Sequence, residues 1–169
     1  MKFREISPYS LPDNPFVRFD RDWGLVTAGD EKKCNTMTVS WGQLGIMWNK
    51  PVVNVYLRPQ RYTREFVEAQ PRFSLSFFAP ETQRPALQLL GTESGRDGDK
   101  IARSGLHVCM MEGVPAFEEA ALVLLCRKLY SQDMLGELFL EEEPKRAFYP
   151  EKDYHRLYIA EIEKALVAE

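Results

Sequence analysis

The chain has 169 residues, 44% of them hydrophobic and 12% aromatic, enough for one domain that buries roughly 70% of its unfolded surface; this excludes a disordered or fibrous protein. A formal net charge of −3 and a pI near 5.6 give no basic footprint for nucleic acid. The segment from Met1 to Asp20 is too polar for a signal peptide or a membrane span, and three widely spaced cysteines, Cys34, Cys109 and Cys126, fit a reducing compartment, so the expectation is a cytoplasmic protein without a membrane partner.

Trp23 to Ala28 alternates as a strand. Thr36 to Trp48 has the β-branched and aromatic content of another, interrupted by Gly42 and Gly45 where something approaches the backbone closely. After a short hairpin, Pro51 to Arg58 reads as a buried strand carrying Val52, Val53, Val55, Tyr56 and Leu57. A helix is expected from Thr63 to Gln70, stopped by Pro71. The next strand alternates Phe73, Leu75 and Phe77 with Ser74 and Ser76, giving one apolar and one small polar face. Further helices are expected over Glu81 to Leu90, after Pro80, and Asp97 to Ser104, before Gly105. Within Glu119 to Tyr130 the run Ala120 to Cys126 suits a buried strand or a buried helix by periodicity; we read a strand, with Cys126 as a small core residue. Glu141-Glu142-Glu143 reads as a solvated loop, and Arg156 to Ala165 as the last strand. Without repeats or linkers, residues 1–169 form a single domain of the mainly β class, an antiparallel barrel with short helices inserted.

The chemistry gathers in three places. In Cys34-Asn35-Thr36-Met37-Thr38-Val39-Ser40-Trp41-Gly42, backbone amides and hydroxyls along Asn35, Thr36, Met37 and Thr38 can serve the polar edge of a flat ring system, with Trp41 covering or flanking it. The same pattern also suits an ordinary strand with Thr36, Thr38 and Ser40 toward solvent and Met37, Val39 and Trp41 inward. In Arg58-Pro59-Gln60-Arg61-Tyr62-Thr63, a helix opening near Thr63 aims free N–H groups at an anion. Arg58 or Arg61 adds charge-assisted bonds, Arg61 being nearer the helix start; a solvated arginine pair with Thr63 as an ordinary N-cap is the plain alternative. The stretch from Ser94 and Gly95 through Arg96 to Lys100 can hold phosphate, or can be a glycine-containing helix lead-in capped by Asp97 or Asp99. Together these point to a nucleotide cofactor.

Other chemistries lack their motifs. Neither a phosphate-binding Gly-x-x-x-x-Gly-Lys-Ser/Thr loop nor a Gly-x-Gly-x-x-Gly turn is present, nor a Gly-x-Ser-x-Gly elbow. His107 and His155 are far apart without ligand partners, so no metal is expected. Cys34 has no CxxC partner, leaving a thiol nucleophile as a minor option.

Asn35-Thr36-Met37-Thr38-x-Ser40-Trp41-Gly42, Trp48-Asn49-Lys50-Pro51, Arg58-Pro59-x-Arg61-Tyr62-Thr63, Ser94-Gly95-Arg96-Asp97-x-Asp99-Lys100 and Asp153-Tyr154-His155-Arg156-x-Tyr158-Ile159, in this order, resemble the flavin reductase-like family, flavoredoxin-like proteins included. The resemblance runs from about Trp23 to the C-terminus. It implies an FMN-binding split barrel, a Greek-key antiparallel β-barrel, usually a homodimer with flavin near the interface. It also implies FMN contacts from the first three chemical motifs, Ser40 and Tyr62 included, and from His155, which the motif sets near the flavin or the dimer interface and which equally suits a satisfied buried histidine. The activity implied is oxidoreduction, with hydride from NADH or NADPH and electrons passed to free flavin or a redox partner. An FMN-binding electron carrier without NAD(P)H activity is the alternative. Leu135 to Lys145, where the resemblance is thin, is expected to shape access for the acceptor.

Overall fold

The computed structural model describes residues 2–11, 14–80 and 82–169. In chain order it contains β1 (Phe3–Ile6), α1 (Pro15–Val17), β2 (Gly24–Gly29), β3 (Cys34–Val39), β4 (Gly42–Met47), β5 (Lys50–Leu57), α2 (Tyr62–Ala69) and β6 (Arg72–Phe77). There follow α3 (Arg84–Thr92), α4 (Lys100–Ser104), β7 (Val108–Met111), β8 (Val114–Phe117), β9 (Leu122–Asp133), α5 (Glu142–Phe148) and β10 (Arg156–Ala168).

The main sheet is antiparallel and runs β3-β2-β6-β9-β10-β5-β4, with β1 pairing the far half of β10. Its two edges, β3 and β4, are consecutive in sequence and joined only by Ser40 and Trp41. Three trans peptide steps reach about 11 Å. Six inter-strand spacings in a flat sheet would separate those edges by roughly 29 Å, so the sheet has to curl round on itself. β3 and β4 meet without pairing, which leaves a split between them. The strand expected over Thr36 to Trp48 is therefore two strands on opposite edges. Gly42 admits the Phe19 ring, where a Cβ would lie 2.2 Å from it, whereas a Cβ at Gly45 would meet nothing within 4 Å.

One apolar cluster fills the inside of the curl, with Val26, Val53, Val55, Leu75, Phe77, Leu124 and Tyr158 at its centre. A second lies on the outer face, where Leu25, Val123 and Leu125 meet Leu87 and Leu90 of α3 and Val114, Ala116 and Phe117 around β8. β2, β6 and the first half of β9 are consequently buried on both faces, which accounts for the near-continuous apolar run before Cys126. Cys126 lies fully buried in the inner cluster. The polar face expected for β6 is covered as well: Ser74 Oγ donates to the Pro115 carbonyl at 2.6 Å, and Ser76 Oγ is buried without a partner.

Other expectations shift at their ends. The helix start expected at Glu81 lies outside the described residues, and α3 runs from Arg84 to Thr92. α4 opens at Lys100 rather than Asp97, capped by Asp99, whose side chain accepts from the Ala102 N–H at 3.0 Å. Glu142 and Glu143 belong to the first turn of α5, where their charge favours the helix, not to a loop. β1, α1 and the β7–β8 hairpin add to the elements expected from the sequence. Among the described residues no helix is long and apolar enough to cross a membrane.

Candidate functional site

A groove follows the split. Its inner part, a cavity of about 220 Å³, is lined by Met37, Thr38 and Val39 at the end of β3, by Ser40 and Trp41 after it, by Tyr56 of β5 and Arg58 just beyond it, and by Arg61 and His155. Its outer part, about 400 Å³, shares Met37, Arg58 and Arg61 and adds Gln60, Tyr62, Thr63, Thr92, Glu93, Ser94, Gly95 and Lys100. Sequence-distant motifs converge here because β3 ends beside the point where β5 turns into α2.

That turn is built locally. Pro59 follows Arg58, and the Arg61 N–H closes on the Arg58 carbonyl at 3.2 Å before the chain enters α2. The N-cap of α2 is Arg61, and no side chain caps the helix. Thr63 is not the cap: it is buried and its Oγ accepts from Asn35 Nδ2 at 2.9 Å. The first N–H groups of α2 are thus left without a side-chain acceptor, at an end that carries partial positive charge.

Basic groups crowd the same place. Arg61 donates to the Gly91 carbonyl at 2.7 Å, and Lys100 Nζ to the carbonyls of Leu90 and Glu93 at 2.8 and 2.9 Å, closing the C-terminal end of α3. Burial, and next the neighbouring Arg61, pushes Lys100 down to about 8. Burial, and next Arg58, lowers Arg61. Arg58 pairs with Asp153, donates to the Phe148 carbonyl at 2.9 Å and stacks 5.2 Å from the Tyr149 ring centre. Cations held this close and half desolvated favour an anion between them.

At the other end the groove is aromatic. His155 is buried, 5.2 Å from the Trp41 ring centre and 6.5 Å from that of Tyr56, with Nδ1 2.7 Å from the Tyr149 hydroxyl. Burial, then Arg58, lowers its pKa to about 4, so the ring is neutral at pH 7 and Nε2 is left for a ligand.

The expected residues divide into three sets. Met37, Thr38, Ser40, Trp41, Arg58, Arg61, Tyr62, Thr63, Ser94, Gly95, Lys100 and His155 line the groove. Asn35 stands just behind it: besides holding Thr63, its Oδ1 would lie 2.4 Å from a Cβ at Gly95, so a glycine there lets the loop sit down on Asn35. Thr36 lines neither part of the groove; it is fully buried, 2.8 Å from Thr27 Oγ1 and donating to the Val26 carbonyl at 3.1 Å. The solvent-facing alternative for this strand holds for Met37 and Val39, buried in the inner cluster, and for exposed Ser40, but not for Thr36, which is buried, for Thr38, whose hydroxyl donates to the Leu87 carbonyl at 2.5 Å, or for Trp41, which is 40% exposed. Burial raises the Cys34 pKa, the reverse of what a thiolate nucleophile needs.

Sequence reasoning missed a second space. On the far side of Trp41 lies a chamber of about 590 Å³, sharing Ser40, Trp41 and Tyr56 with the groove and otherwise walled by α1 and its following turn, by β4, and by Met134, Phe139, Pro144, Phe148 and Tyr149. The available signal was the aromatic density of Phe139, Phe148, Tyr149 and Tyr154 in an otherwise charged stretch.

A curled antiparallel sheet with a cation-lined, aromatic-ended groove in its split places the protein among the split-barrel folds. The sequence model of the family described as flavin reductase like domain matches residues 16–169, and the chain belongs to that family. No curated protein matches the sequence significantly. Among solved structures, the chain is similar to an FMN-binding domain of a flavin reductase-like enzyme from Shewanella baltica OS155, at 20% identity and a TM-score of 0.71 over 98% of this chain and 77% of that one. Flavoredoxin from Methanosarcina acetivorans shares 22% identity with a TM-score of 0.68, over 88% and 69% of the two chains. The FMN-binding protein from Thermus thermophilus, solved with bound p-hydroxybenzaldehyde, shares 22% with a TM-score of 0.69, over 97% and 81%. At these identities the likeness establishes the fold, the FMN-binding split barrel expected from the sequence.

Proposed function

We propose that the groove binds FMN and that the protein is a flavin-dependent NAD(P)H oxidoreductase, passing electrons to free flavin or to a redox partner. The observation that carries this reading is the uncapped start of α2 lying among Arg58, Arg61 and Lys100 at one end of a groove whose other end is Trp41, Tyr56 and neutral His155. A phosphate with a flat polar ring attached has this same division of charge and aromatic surface. FMN, when bound, supplies two-electron chemistry and takes a hydride from NADH or NADPH. The chain supplies the rest. Arg61, the Thr63 hydroxyl and the free N–H groups of α2 hold the phosphate, with Ser94 and Gly95 closing over it and Tyr62 alongside. Lys100 has one N–H left to contribute after its two carbonyl bonds. The backbone from Met37 to Ser40 serves the polar ring edge, and Trp41 and His155 cover the ring.

A homodimer also belongs to this reading, supported by the edge strand β4 and its turn, where Ile46 is 60% and Trp48 54% exposed. The alternative, an FMN-binding electron carrier, draws support from the chamber beside the groove, whose lining has no basic side chain among the described residues for the phosphates of a dinucleotide. Its acceptor or donor would then be a redox protein.

The test is to purify the protein, record its visible spectrum, identify released ligand by mass and add NADH and NADPH separately without oxygen. Bleaching of bound FMN by either nucleotide supports the reductase. FMN that only dithionite or a redox protein reduces supports the carrier, and failure to bind FMN overturns both.

A further inference from the structure

Arg58, which the sequence offers as a partner for phosphate, turns part of its guanidinium elsewhere. It pairs with Asp153, donates to the Phe148 carbonyl at 2.9 Å and lies 5.2 Å over the centre of the Tyr149 ring, while Gln60 Nε2 donates to the same Asp153 carboxylate at 2.8 Å. The turn leading into α2 and the segment from Phe148 to Asp153 are thereby clamped together. Tyr149 is buried inside this clamp, its ring centre 5.1 Å from that of Tyr154, and its hydroxyl stands 2.7 Å from Nδ1 of His155.

The direction of that last bond decides what His155 offers to the groove. The hydroxyl carries one hydrogen and has two acceptors within reach, His155 Nδ1 and, at 3.8 Å, the Met134 sulfur. An imidazole lone pair is a better acceptor than a thioether. The Arg58 guanidinium over the ring favours negative charge on the phenol oxygen, which makes the hydroxyl a stronger donor. Tyr149 therefore donates and Nδ1 accepts. Burial first, then Arg58 and Arg61, oppose a second proton on the ring, and the charge that favours one, Asp153, is already paired with Arg58. In the neutral ring the hydrogen then falls on Nε2, the nitrogen left to the groove beside Ser40 and Trp41.

We infer that Tyr149 and Arg58 are positioning residues that hold His155 as the tautomer with its hydrogen on Nε2, giving the groove a directional N–H donor beside Trp41. Tyr149 does so from outside the groove, which it does not line. The inference rests on the flavin reading for what accepts the bond, an oxygen or nitrogen at the edge of the ring. His155 then orients the ring as well as covering it.

Long-range nitrogen–proton NMR on protein labelled at the histidine nitrogens, with and without FMN, tests it. The chain has two histidines, and the signals of exposed His107 are identified by their loss in His107→Gln. His155 should show a protonated Nε2 and an accepting Nδ1 at pH 7. Tyr149→Phe keeps the ring and removes the hydroxyl, so the Nδ1 signal should move to that of an unbonded lone pair, and FMN affinity should fall about fivefold. In a His155→Leu background the same substitution should weaken FMN no further, since it acts through the imidazole. Arg58→Gln should let His155 take its second proton at a higher pH than in the native protein. A protonated Nδ1, an unmoved Nδ1 signal in Tyr149→Phe, an equal loss of FMN affinity in both backgrounds, or an unchanged protonation midpoint in Arg58→Gln each overturns the inference. The expected tautomer in FMN-free protein, with His155 signals that added FMN leaves unmoved, counts against the flavin reading and for the positioning. FMN bound beside a His155 protonated on Nδ1 counts the other way.

Discussion

The groove and the chamber share Trp41 as a wall, yet they are made differently. The groove is polar and braced: Arg61, Lys100, Thr63 and Asn35 each carry a hydrogen bond to the protein. The chamber is apolar and only loosely tied, and Phe16 in its wall is 82% exposed. A site that must hold a multiply charged phosphate needs fixed donors, because a charge taken from water is compensated only by partners already in position. A chamber walled mainly by apolar side chains from separate segments carries fewer such fixed donors.

The largest expected effect strikes the braced side. Arg61→Glu places a carboxylate where the phosphate is proposed to sit, and FMN affinity measured by fluorescence titration should fall by more than about 100-fold, around 3 kcal/mol. A loss under about threefold would move the phosphate end away from α2 and dissolve the contrast between the two spaces.

Next comes the bracing itself. Gly95→Ala drives a Cβ against Asn35 Oδ1, the residue that holds Thr63. We expect about 2 kcal/mol of lost stability in denaturant titration, with weaker FMN binding in proportion. Unchanged stability would mean that the loop carrying Ser94 rides freely over β3, and that the groove is no more rigid than the chamber.

The smallest effect concerns His155, which stands between the two spaces with Arg58, Asp153 and the Tyr149 hydroxyl as neighbours. Its pKa falls from 6.5 to about 4 on folding. Between those values the unfolded chain binds the extra proton, so this share of stability is complete above pH 6.5 and is lost progressively as the pH drops toward 4. The Tm of the native protein should therefore fall further from pH 7 to pH 4.5 than that of His155→Gln. Equal falls would mean that His155 is hydrated enough to titrate normally, and that the polar side of Trp41 is wetter than its burial indicates.

The two spaces were unequally legible for a chemical reason. Each groove motif is a short run whose residue types carry the chemistry themselves: two arginines before a helix, a hydroxyl-rich strand, a glycine before a basic residue. Chamber residues such as Phe19, Leu44 and Phe148 are ordinary apolar side chains in separate segments, and nothing local distinguishes them from core. Thr36 shows the limit even inside a motif, since the polar residue read as a ligand donor bonds inward to Thr27 and Val26.

The sequence alone determined the mainly β class, the paired strands on either side of the Trp48-Asn49 turn, the helix after Pro59 and the family, because these rest on local periodicity, turn chemistry and short motifs. Only the tertiary structure decided that Thr36 to Trp48 is broken between opposite sheet edges, that Ser74 and Ser76 are buried, that Lys100 closes α3 and that Trp41 divides a cation-lined groove from a largely apolar chamber. Those outcomes depend on which elements the curled sheet brings together, and closure is a property of the whole strand order that no single segment encodes.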